Sequence, residues 1–83
     1  MRLSIVVPAH NEEDNIVEVI CQIEERVKCE HQLVVVNDHS GDATRSQVEE
    51  MTKRFPSITL VDNMRPAGFA NALRTGFDNA CGE

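Results

Sequence analysis

Two β-branched apolar runs, each broken off by a polar loop, constrain this chain's fold more than any other feature. The first is Leu3-Ser4-Ile5-Val6-Val7, followed by Pro8-Ala9-His10-Asn11-Glu12-Glu13. The second is Leu33-Val34-Val35-Val36, followed by Asn37-Asp38-His39-Ser40-Gly41-Asp42. Near-continuous apolar runs suit strands covered on both faces, the habit of parallel sheets. Open α/β sheets bind ligands beyond the carboxyl ends of their strands. The two acidic, hydrogen-bonding loops are therefore expected side by side, where a ligand would sit.

The segments between fit this scheme. Ile16, Val19, Ile20, Ile23 and Val27 fall at helical spacing and predict a helix from Glu13 to about Val27, with Asn11 as its N-cap. The second strand is expected from Gln32 to Asn37. A second helix starts near Ala43, capped by Asp42, turns Thr44, Val48, Met51 and Phe55 inward, and stops at Pro56. Ile58-Thr59-Leu60-Val61 reads as a third strand and Asp62 to Pro66 as a loop. The last helix begins near Gly68, with Ala70, Leu73, Phe77 and Ala80 facing inward. Strands alternating with helices imply right-handed crossovers and a parallel sheet. The expected class is α/β, a three-layer parallel sheet with helices on both faces and the strands in the order third, second, first.

Eighty-three residues allow one small domain at most, with a modest core. A formal net charge of −6 argues against nucleic acid as a partner. It also means that a phosphate-bearing ligand would need a divalent cation to bring it in. No apolar stretch approaches the length of a membrane span. Pro8 and Glu12 follow Met1-Arg2-Leu3 too soon for a signal peptide, so a cytoplasmic location is expected. The three cysteines, Cys21, Cys29 and Cys81, form no C-x-x-C pair and read as reduced thiols, not as a zinc site or disulfide framework.

Other functional classes fit poorly. A dinucleotide-binding domain needs G-x-G-x-x-G after its first strand, and Pro8 to Glu13 contain no glycine. A phospho-acceptor receiver needs its acids inside the end of the first strand, and Glu12 and Glu13 come several residues later. Asp38-His39-Ser40 is not a catalytic triad, because consecutive loop residues do not readily face one another.

Three motifs in register resemble a known family. Val7-Pro8-Ala9-His10-Asn11-Glu12-Glu13 resembles the opening V-P-A-[YH]-N-E-E of the family 2 inverting glycosyltransferases. Val36-Asn37-Asp38-His39-Ser40-Gly41-Asp42-Ala43-Thr44 is similar to their V-D-D-G-S-T-D-G-T. Gly68-Phe69-Ala70-Asn71-Ala72-Leu73-Arg74-Thr75-Gly76 resembles their G-x-[GA]-x-A-L-R-x-G. The wording of the first motif is nearest to the polyprenyl-phosphate sugar synthases. The resemblance covers essentially the whole chain and implies the front part of a GT-A (Rossmann-like) nucleotide-diphospho-sugar transferase fold. Residues 1–83 are then an incomplete, nucleotide-binding N-terminal portion of a larger domain.

The resemblance also implies roles. Asp38 would accept a hydrogen bond from the base of a UDP- or GDP-linked sugar donor, a task that suits an acceptor-only, charged group. Pro8, Ala9, His10 and Glu12 would form the other wall, along base and ribose. Glu12 also suits the first turn of a helix electrostatically. Asn37 stands where the family usually has a second aspartate and would hold the loop or touch the ligand. Gly68 would let the backbone approach the donor diphosphate at the start of the third helix. Phe69 replaces the family's common lysine, leaving Arg65 and Arg74 as the candidate cations. His39 reads as a solvated loop residue.

Two components of the family's chemistry have no counterpart here, the metal-binding D-x-D and an acceptor base. The Mg or Mn ion that the family uses would find its ligands beyond Glu83. The expected function is binding the nucleotide part of the donor for transfer to an acceptor, a membrane-associated polyprenyl phosphate by flavour, at the cytosolic face of a membrane. A catalytically inactive nucleotide-binding remnant is the alternative. No catalytic residue is assigned. Leu3 to Val7, apolar and at a free sheet edge, predicts self-association.

Overall fold

A computed structural model describes residues 3–80. Its elements run β1 (Leu3–Ala9), α1 (Ile16–Arg26), β2 (His31–Asn37), α2 (Thr44–Arg54), β3 (Ile58–Asp62) and α3 (Phe69–Asn79). The sheet is parallel with the order β1-β2-β3. Val6 pairs with Val34, and Val35 with Leu60.

β2 is central, and its side chains explain its sequence. Leu33 and Val35 point into a core with Ile16 and Ile20 of α1, Val48 and Met51 of α2, and Ile58. Val34 and Val36 point the other way, against Ala72 of α3. Burial on both faces removes any need for polar alternation. The result is three layers, α1 and α2 on one face of the sheet and α3 on the other.

The structure corrects several local expectations. Residues 13–15 form a turn, and α1 starts only at Ile16. Asn11 does not cap it. This residue adopts φ 51°, and its side-chain oxygen accepts from the Gly41 amide at 2.7 Å. Val19 is exposed on α1. The N-cap of α2 is Ala43 and not Asp42, which stands one residue earlier and accepts from the Thr44 amide at 3.0 Å. On α3, Ala70 and Phe77 are exposed, and the buried positions are Ala72, Thr75 and Gly76. The cause is proximity: a Cβ built at Gly76 would lie 2.3 Å from Val6 Cγ1 and 3.1 Å from Val36 Cγ2. The helix lies too close to the sheet for a larger side chain there.

Among the described residues β1 has a strand neighbour on one side only, and Leu3 on it is exposed. Cys21 and Cys29 are free thiols, and Cys81 lies outside the described residues.

At the amino-terminal edge of the sheet, Glu24 joins three segments. One carboxylate oxygen lies 2.5 Å from His31 Nε2, and the other accepts from the Ser57 hydroxyl. His31 Nδ1 is 2.9 Å from the Cys29 carbonyl oxygen. Both ring nitrogens face acceptors, so only the imidazolium can donate to both. The Cys29 carbonyl first, then the Glu24 carboxylate, raise the His31 pKa above its ordinary 6.5. A raised folded-state pKa gives stability that is fully present below the unfolded value and is lost as pH rises through the folded one. The parent is therefore expected to lose stability as pH climbs from below 6.5 through that raised value, relative to His31→Gln. Urea unfolding of both proteins across the range checks this. Parallel curves would refute it.

Candidate functional site

A cleft of about 450 Å³ opens at the carboxyl ends of β1 and β2. Pro8, Ala9, His10 and Glu12 line one side, and Asp38 and Gly68 line the other. Ala67 and Phe69 complete it.

The first wall is stapled to the second. The Asp38 amide donates to the Ala9 carbonyl at 2.8 Å, continuing the sheet by one bond. His10 Nδ1 lies 2.6 Å from the Asp38 carbonyl oxygen, which can only accept, so the ring proton sits on Nδ1. His10 Nε2 is then free to accept from the Asn11 side-chain Nδ2–H at 3.3 Å. The Asn11 amide donates to Ser40 Oγ at 3.1 Å, and the Glu12 amide to Thr44 Oγ1 at 2.8 Å. Asp42 accepts from Thr44 Oγ1 at 2.5 Å and from the Glu13 amide at 3.2 Å. The Thr44 hydroxyl, foremost among these donors, lowers the Asp42 pKa.

Asp38 is 6% exposed although it is acidic. Such burial demands partners. Its Oδ1 accepts from Asn63 Nδ2 at 2.9 Å, and its Oδ2 from the Gly68 amide at 3.1 Å. Gly68, with φ 144°, has the conformation that lets its amide turn back to the carboxylate. The Gly68 amide also reaches Oδ1 at 3.3 Å, so Oδ2, with one donor, is the oxygen that keeps acceptor capacity.

Asn37 does not join the lining. Its side-chain amide donates to Asp62, its register partner on β3, at 3.0 Å. Its oxygen accepts from the Ser40 amide at 3.3 Å. Asp62 also takes Arg45, Nε to Oδ1 at 3.0 Å. Arg45 first, and Asn37 second, hold the Asp62 carboxyl below its ordinary range. A second carboxylate at position 37 would face Asp62, so the amide suits this pairing.

Arg65 is also committed elsewhere. Its guanidinium donates to Thr75 Oγ1 at 2.9 Å and to Asp78 at 2.7 Å. Arg74 is exposed on α3. His39, at φ 55°, reaches the Arg65 carbonyl oxygen at 2.8 Å and ties the second loop to the third. Among the described residues, no group of three or more His, Cys, Asp or Glu side chains could hold a metal ion. Among the same residues no helix is long and apolar enough to cross a membrane.

Residues 4–83 match the sequence family described as glycosyl transferase family 2. The chain belongs to this family. A dolichol-phosphate mannosyltransferase of Pyrococcus furiosus is 27% identical over all of this chain and 24% of its own length. A prophage bactoprenol glucosyl transferase homologue of Escherichia coli is 34% identical over all of this chain and 28% of its own length. The chain thus spans about a quarter of the length of these relatives. Among solved structures, a mannosyltransferase of Pyrobaculum calidifontis in complex with GDP-mannose and Mn²⁺ superposes with a TM-score of 0.88. It is 34% identical, with 99% of this chain and 25% of that one covered. The fold is therefore that of part of a GT-A glycosyltransferase.

For this glycosyl transferase family 2 chain, sequence reasoning missed Asn63 and Thr44. Both are buried polar residues that hold the cleft loops. Thr44 carried a signal in being a polar residue at an inward helical position. A lone asparagine after a strand, like Asn63, reads only as a turn former.

Proposed function

We propose that this chain forms the nucleotide-binding front of a glycosyltransferase domain, holding the base and ribose of a nucleotide-diphospho-sugar. Asp38 accepts from a base N–H, Ala9 and Pro8 leave room for the ring, and His10 and Glu12 border the base and ribose. The buried, fixed Asp38 carboxylate at the cleft supports this reading most strongly. The relatives support the donor class, since the Pyrobaculum enzyme is in complex with GDP-mannose. A polyprenyl phosphate as acceptor draws on the dolichol-phosphate and bactoprenol names of the relatives, and work at the cytosolic face of a membrane is a further part of this proposal. A divalent cation would accompany the donor, as Mn²⁺ does in the Pyrobaculum complex, and the described residues do not themselves offer a group to hold it. Residues 1–83 by themselves bind without transferring sugar.

UDP and GDP titrated into labelled protein are expected to move the amides of Ala9, Asp38 and Gly68 saturably. No saturable shift with either nucleotide overturns the proposal. The free edge of β1 supports self-association through that strand. Sedimentation is expected to show mass rising with concentration, and a monomer throughout counts against it.

A further inference from the structure

We propose that Asn63 is a positioning residue that fixes the direction of the Asp38 carboxylate and couples it to α3. The inference rests on Asp38 as the base reader. Asn63 follows β3, outside all three family-like motifs, and is 3% exposed. Its amide is fully engaged. Nδ2 donates to Asp38 Oδ1 at 2.9 Å and to the Pro66 carbonyl at 3.3 Å. Oδ1 accepts from the Arg65 amide at 3.0 Å and lies 2.9 Å from Thr75 Oγ1. The Thr75 hydroxyl is itself buried and receives the Arg65 guanidinium.

This wiring allows one orientation only. A flipped amide would set its oxygen against the Asp38 carboxylate and its NH₂ against the Arg65 N–H. A carboxylate in place of the amide would keep the acceptor half but turn the donor into a second negative charge. A hydrocarbon would leave Asp38 Oδ1 with only its long 3.3 Å bond from the Gly68 amide and would leave the Arg65 amide unpaired. Asn63 is therefore specified as an amide by its two sides together. Through Thr75 it ties Asp38 to the same helix whose first residues border the cleft. The carboxylate and the start of α3 thus keep one relative placement.

The near-isosteric Asn63→Asp tests this. At pH 8 the introduced charge repels Asp38, and the affinity for GDP or UDP is expected to fall by about tenfold or more relative to the parent. Towards pH 5 a proton enters between the two carboxyl groups and recreates a donor to Asp38. The variant-to-parent affinity ratio is then expected to return towards one. Other charged groups facing this locus are His10 and Glu12 from the first loop, His39 from the second, Arg65 from the third and Asp78 from α3. They and the nucleotide phosphates are common to both proteins, and the ratio removes them. The Gly68 amide resonance reads the carboxylate without ligand. It is expected to be displaced in the variant at pH 8 and to return on acidification.

A ratio near one throughout, or a loss that acid does not relieve, overturns the inference. So does a Gly68 resonance that stays at the parent position. If the resonance behaves as described and neither nucleotide binds the parent, Asn63 positions Asp38 but the reading of Asp38 as base reader fails. Should Asn63→Asp not fold at pH 8, Thr75→Val with Thr75→Ser as its rescue carries the test. Valine is expected to lower affinity about threefold and move the Gly68 amide, while serine restores both. Equal behaviour of the two overturns the inference.

Discussion

Asp38→Ala is expected to weaken nucleoside diphosphate binding about ten- to a hundredfold, because a hydrogen bond to a charged group is worth roughly 1.5–3 kcal/mol. The carboxylate is an acceptor held from behind by Asn63 and Gly68, and no other carboxylate among the described residues lines that side of the cleft. The discriminating control is Asp42→Ala. Asp42 braces the start of α2 and the turn before α1, so its loss is expected to lower stability while leaving affinity near the parent value. Titration of GDP and UDP into each protein, beside thermal unfolding, separates the two. If both variants bind like the parent, Asp38 does not read the base.

Gly76→Val is expected to cost on the order of 3 kcal/mol, the upper end of typical overpacking penalties. That is a large share of the roughly 5–15 kcal/mol that stabilises a small domain. The smaller Gly76→Ala carries the sharper argument, because two effects oppose. Helix propensity alone favours alanine by about 1 kcal/mol. The added Cβ would meet Val6 Cγ1 at 2.3 Å, and a β-branched side chain seated on a strand has little freedom to move aside. The contact is expected to win, leaving alanine destabilising as well. Chemical denaturation gives the sign directly, and a stabilised alanine variant would show that α3 lifts from the sheet at little cost.

The same contact explains where the sequence was legible and where it was not. The strands and loops were readable because unbroken β-branched runs have few alternatives, and Pro8, Ala9, Asp38 and Gly68 do meet at one cleft. The inner face of α3 was not. Apolarity pointed to Ala70 and Phe77, but a helix pressed this close to a sheet selects for smallness, and Ala72 and Gly76 fill the interface. Asn11 looked like a cap because asparagine before a helical stripe commonly is one. Its real partner, Gly41, is distant in sequence and invisible to local reading. Asn37 sits in the loop motif, yet its orientation depends on Asp62 across the sheet. Asn63 could not be found at all without knowing that β3 ends beside β2.

The stapling of the first loop to the second has a kinetic consequence. His10, Asn11, Glu12 and Glu13 are each bonded to the segment from Asp38 to Thr44, so neither wall can open without breaking the other's bonds. The conformational entropy of ordering these loops is spent when the sheet forms, not when a ligand arrives. A ligand entering here meets a slot already in its final shape. Its association rate should follow diffusion and charge, and differences between ligands should appear in how long each one stays.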